Sequence, residues 1–227
     1  MPADAPVTVT YYLEVLSSWC HWAEPAWADL KERYAGRACF RWRIAAMNPG
    51  DFPGSREQCE WFYRRSGTVV NSPRALSAGW IDPAGPGDYA VPNLVAEAAR
   101  GLLADPEDDR VRIALASAAL HAGRKIGHDL DLAAAIAAKA AKIDVKKLRK
   151  TAASPAVRER VAASTAEFVA HRINRRPAFV LTSVIGDKAV FSGLVRAEPL
   201  AATLDAMLAD AARYASFAAH FGSPPKG

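Results

Sequence analysis

Cysteine is scarce in this 227-residue chain: Cys20, Cys39 and Cys59 are the only three, standing 19 and 20 positions apart. That spacing excludes a dense disulfide framework and a zinc motif built on close C-x-x-C pairs, and it points to reduced thiols. Long apolar runs are missing too. No stretch approaches the ~20 residues that a helix needs to cross a bilayer, and Met1 to Pro6 is short and polar, without a basic segment ahead of an apolar one. The expected location is the cytoplasm, with no membrane partner. His121, His128, His171 and His220 lack carboxylate or cysteine neighbours at ligand spacing, which predicts no metal site. A G-x-S-x-G elbow is also lacking, which argues against a serine hydrolase.

Excess charge is modest, +5 over the whole chain, and its densest run is "K-I-D-V-K-K-L-R-K" at 142–150. No aromatic residues alternate with these cations, so the run reads as a solvated helix face and no nucleic-acid partner is expected. What remains is ordinary globular composition, 51% apolar and 23% charged. The length suits one large domain carrying an insertion.

Along the chain, "V-T-V-T-Y-Y-L-E-V-L" (7–16) is rich in β-branched and aromatic residues and predicts a buried strand. A helix follows at once: Ser17 or Ser18 serves as N-cap, and Trp22, Ala26, Trp27, Leu30 and Tyr34 recur at helical spacing until Gly36. "A-C-F-R-W-R-I-A-A-M" (38–47) alternates like a second strand. Residues 48–92 read as a loop-rich connector around a short helical patch, "Q-C-E-W-F-Y". Alanine-rich helices then fill about eighty residues, at 93–104, 108–123, 131–141, 144–151 and 155–172, each closed by a cap or a stop. Strands at 177–184 and 188–193 and a helix at about 198–217 complete the chain. The order is β-α-β, a helical block, then β-β-α. The expected division is 1–92 with 174–227 as an α/β domain and 93–173 as the insertion.

This order resembles the DsbA-like branch of the thioredoxin fold, in which an all-helical block separates the two halves of a mixed sheet. In the relatives called FrnE the first strand runs into C-P-W-C-Y, and the same register here gives Ser17-Ser18-Trp19-Cys20-His21. "R-R-P-A-F-V-L" resembles the cis-proline strand, with Pro177 in the proline position, and residues 121–144 look like the insertion helices of that family. The resemblance spans nearly the whole chain. Kappa-class glutathione transferases and 2-hydroxychromene-2-carboxylate isomerases look similar and carry serine where Ser17 stands. Those relatives have an aspartate after the glycine of the last strand, whereas this chain has Gly193-Leu194-Val195-Arg196, and Val195 cannot hold an ammonium group.

Two registers fit the motif. In one, Ser17 takes the attacking position and Cys20 the resolving one. In the other, Cys20-His21-Trp22-Ala23 is a monothiol C-x-x-A, with the helix N-terminus, and His21 when protonated, favouring a Cys20 thiolate. Dithiol chemistry needs two sulfurs, and only one is here. The resemblance therefore implies thiol-disulfide chemistry through Cys20 with an external thiol as resolver, or a transferase or isomerase in which Ser17 stabilises a bound glutathione thiolate. A non-catalytic thiol- or peptide-binding module is the third reading. In each case a small thiol or peptide is the partner, with no tightly held cofactor beyond glutathione as a co-substrate. Ser18, Trp19, His21, Trp22, Arg175, Arg176 and Pro177 are expected to form the binding surface, with the two arginines meeting a carboxylate. Cys39 and Cys59 read as structural, and the sequence leaves the oligomeric state open.

Overall fold

A computed structural model describes residues 5–82, 85, 87–193 and 196–222. Strand β1 (Val7–Leu13) lies inside a four-stranded sheet of order β2-β1-β3-β4. It pairs in parallel with β2 (Cys39–Ile44) and antiparallel with β3 (Ala178–Ser183), which pairs antiparallel with β4 (Lys188–Ser192). The parallel partner requires a crossover, and α1 (Ser18–Arg33) provides it. Register brings Tyr11 beside Trp42 on one flank and Phe179 on the other. The Tyr11 and Phe179 rings stack at 4.8 Å, and Trp27 of α1 closes over Tyr11 at 5.2 Å. These large rings supply much of the apolar area removed from water where α1 meets the sheet.

Beyond β2 the chain forms α2 (Arg56–Val69), longer than the patch expected there, and then five helices before returning as β3. These are α3 (Val91–Arg100), α4 (Arg110–Leu120), α5 (Leu130–Ala141), α6 (Val145–Ala152) and α7 (Pro155–Ala170). Asp129 and Asp144 cap α5 and α6 by accepting the N–H groups of Leu132 and Lys147. Every residue of α3 from Pro92 to Ala99 is buried, because helices pack around it on all sides and its alanines let them approach. The last helix, α8 (Ala197–Phe221), buries Leu200, Ala201, Leu204, Met207, Leu208 and Ala211 on one face and runs four residues past its expected end.

The helical block is welded to α1 by charge. Arg112 of α4 is buried between Glu24 of α1 and Asp109, with Nη2 2.6 Å from the Asp109 carboxylate and Nη1 on Glu24. Asp109 also accepts from Trp27 Nε1 at 3.2 Å and from Lys31 Nζ at 2.7 Å. One apolar core runs continuously from the sheet into α3 through α7.

Candidate active site

β1 is joined to α1 by four residues, Glu14 to Ser17. Ser17 is the N-cap: its backbone is extended, its N–H donates to the Glu14 carbonyl at 3.1 Å, and its Oγ accepts the Cys20 N–H at 3.3 Å. Cys20 is the third helical residue, and its side chain turns inward. The residue is 2% exposed, and Sγ accepts the Glu14 N–H at 3.4 Å. Burial pushes the Cys20 thiol up to about 12, outweighing the hydrogen bonds that favour a thiolate, and the charges of Glu14 and Glu24 push the same way.

The Ser17 hydroxyl thus stands at the helix tip and the Cys20 sulfur beneath it. This burial runs against the acidified Cys20 thiolate that the C-x-x-A register leads one to expect. A helix dipole favours a thiolate that also meets solvent or a cation, whereas this sulfur is sealed against the sheet.

Glu14 was not foreseen as part of the site. Fully buried, it accepts the N–H groups of Leu16 at 3.3 Å and Met47 at 3.0 Å and the side-chain amide of Asn93 at 2.7 Å. Asn93 Oδ1 in turn accepts the Val15 N–H at 3.2 Å. One carboxylate and one amide thus satisfy the main chain just where it leaves the ladder, fixing the turn that presents Ser17. Burial pushes the Glu14 carboxyl above its ordinary range, opposed by these donors. The available sequence signal was a single acid at the end of an otherwise apolar strand.

Ser17 opens into a cleft of about 470 Å³. Trp19 of α1, Phe52, Phe62 of α2 and Trp80 give it aromatic walls, and Arg175 and Arg176 form another part of its wall. The Arg176–Pro177 bond is cis, Pro177 is buried behind that wall, and its carbonyl accepts the Gly193 N–H at 2.7 Å. Ser17 and the residues before Pro177 thus line one cavity, although nearly 160 positions separate them in sequence.

Other expected binding residues go elsewhere. Arg176 does not extend a free fork: Nε donates to the Ala45 carbonyl and Nη2 to that of Ala46 at 2.7 Å, with the guanidinium over the Phe168 ring at 4.6 Å. The reason is local, since the chain has left β2 and these carbonyls need donors. Arg175 is exposed on the cleft. Ser18 lines the cleft but is mostly buried.

Trp22 and His21 turn toward other helices. Trp22 Nε1 donates to Ser66 Oγ of α2 at 3.1 Å, and His21 meets His121 at the end of α4. Burial, with His121 adding to it, pushes the His21 imidazole down to about 4, so the ring is uncharged at neutral pH and brings no positive charge to a thiolate. Cys39 and Cys59 are buried, and burial pushes Cys59 up to about 11. Leu194 and Val195, where the glutathione-dependent relatives have their aspartate, lie outside the described residues.

No family model matches the chain, and no curated protein matches it. Solved structures do. A protein of Nitrosomonas europaea described as a candidate protein disulfide isomerase is 17% identical, with a TM-score of 0.70 over 90% of this chain and 98% of the other. The cytosolic disulfide reductase DsbM of Pseudomonas aeruginosa is 17% identical, with a TM-score of 0.68 over 89% and 98%. DsbM has also been solved with GSH, at a TM-score of 0.66. The α-DsbA1 of Wolbachia pipientis is 11% identical, with a TM-score of 0.61 over 94% and 95%. At such identities the likeness is one of fold, and the chain accordingly has the DsbA-like thioredoxin fold, with its helical insertion between β2 and β3.

Proposed function

We propose that the cleft binds a small thiol of the glutathione class and that Ser17 activates it, in a transferase or isomerase reaction. The observation that carries this reading is the placement of Ser17 at the helix tip in the cleft while Cys20 is sealed beneath it. Ser17 Oγ accepts the Cys20 N–H, so its own O–H proton is free to point outward and donate to a sulfur. The N-terminus of α1 adds the positive end of its dipole and the first-turn N–H groups. Together they stabilise a thiolate over a thiol, raising the nucleophilic fraction at neutral pH. In the transferase form, that sulfur bonds to an electrophilic carbon, the leaving group departs with the bonding pair, and the thiol proton passes to solvent. Arg175, exposed at the rim, suits a ligand carboxylate.

Two further points support the reading. A neighbour of the same fold, DsbM, has been solved with GSH. A Cys20 nucleophile, in contrast, has to emerge from 2% exposure and lose a proton held to about pH 12. A cytoplasmic site of action belongs to the same proposal. Among the described residues no helix is long and apolar enough to cross a membrane.

Calorimetric titration with reduced glutathione, paired with ultraviolet absorbance of the bound thiolate, tests this function. Wild type is expected to bind and to lower the thiol pKa. Ser17→Ala is expected to lose the thiolate signal, and Cys20→Ala to keep it. No binding, or an unchanged signal in Ser17→Ala, overturns the reading.

A further inference from the structure

Where α1 passes α4, two histidines a hundred positions apart meet. His21 lies just past the S-x-x-C motif, and His121 is the C-cap residue of α4. Their Nε2 atoms are 3.1 Å apart, the ring centroids 4.7 Å apart and the ring planes 73° from one another. A hydrogen bond between the rings fits this distance if one Nε2 carries a proton and the other does not. The same separation fits two adjacent donors on one metal ion, since an imidazole nitrogen binds zinc at about 2.0–2.1 Å.

We propose that His21 and His121 form a two-histidine site for a first-row divalent cation of the copper, nickel or zinc class, clipping α1 to α4. Imidazole is the ligand type these ions share. His121 is exposed and His21 half-buried, so an ion has a path from solvent. Among the described residues no group of three or more histidine, cysteine, aspartate or glutamate side chains gathers as a ligand set, so water completes the coordination. Neither His21 nor His121 is among the residues lining the cleft that holds Ser17, and the site does not rest on the function proposed there. An ion held by both helices joins the sheet half of the molecule to its helical block, and binding to the folded state alone stabilises that state.

The test uses the full chain, freed of adventitious metal by a chelator. CuCl₂ and ZnCl₂ are each titrated calorimetrically at neutral pH, with thermal unfolding followed in parallel. One site is expected, tighter for copper than for zinc, with a melting temperature that rises with cation concentration. His21→Ala and His121→Ala are each expected to weaken binding by at least about tenfold, one of two ligands being lost. His220→Ala, far from the pair in sequence, is expected to bind as wild type does. Electron paramagnetic resonance of the copper-loaded wild-type chain is expected to show coupling to two nitrogens, a readout that needs no variant to fold. A wild-type chain that takes up neither ion, affinity unchanged in either of the first two variants, or a copper spectrum without two nitrogens overturns the site.

Discussion

At the Cys20 sulfur, the cost of taking a charge out of water outweighs the attraction of the helix dipole, and the thiol stays protonated. Disulfide reagents are therefore expected to label native Cys20 slowly, with no fast acidic thiol, and to reach all three cysteines only after unfolding in urea. One thiol reacting rapidly near neutral pH counters this. The same shift has a sign for stability. A thiol held protonated in the fold stabilises it fully below the unfolded value near 9, and this contribution fades as pH rises toward about 12. His21 acts at the other end of the scale. Its imidazole is pushed down to about 4, so its contribution is present above the ordinary value of 6.5 and is lost as pH falls through 4. Urea midpoints measured from pH 7 to 4 should fall less steeply in His21→Phe than in wild type. Ser17→Ala removes the N-cap and is expected to cost about 1 kcal/mol in urea unfolding, apart from its effect on ligand.

Between elements, the β1–α1 turn and the α1–α4 contact each depend on one buried charged residue. Glu14 accepts three donors, from Leu16, Met47 and Asn93. Glu14→Gln puts an NH₂ group among those donors, and leaving one of them unsatisfied is expected to cost roughly 1–3 kcal/mol, read from the urea midpoint. Arg112→Ala removes the buried cation that Glu24 and Asp109 share, leaving Glu24 with the Tyr11 hydroxyl and Asp109 with Lys31 and Trp27, and the expected loss is about 3 kcal/mol, as for breaking one partner out of a buried pair. A loss under ~1 kcal/mol from Arg112→Ala makes this contact a surface-like pair instead. Hydrophobic spacing made the existence of α1 and α4 legible in the sequence, but not the pairing of Arg112 with Glu24, 88 positions away.

Across the whole molecule, the sheet and the helical block share one apolar core. Unfolding is accordingly expected in a single transition, with tryptophan fluorescence and far-ultraviolet circular dichroism coinciding. Two separated transitions show instead that the block melts by itself. The order of elements along the chain, the helical block and the last helix were all legible in sequence, because β-branched runs, alanine-rich periods and capping aspartates act within a few residues of themselves. Element ends were less so: β1 stops at Leu13 rather than at residue 16, because Glu14 and Asn93 take over its hydrogen bonds.

The sequence by itself determined that Ser17 and Cys20 stand three apart where a strand becomes a helix, and that a proline follows two arginines before a late strand. Which of the two is accessible was decided only by the tertiary structure. A one-turn offset points the hydroxyl into a cleft and the sulfur into the core, and the difference appears only when β1, α3 and the aromatic walls pack around the helix tip. Arg176 and His21 were settled in the same way. Each was assigned by its neighbours in the chain and claimed instead by groups a hundred or more positions distant, because unsatisfied carbonyls and facing imidazoles exist only once the chain has folded.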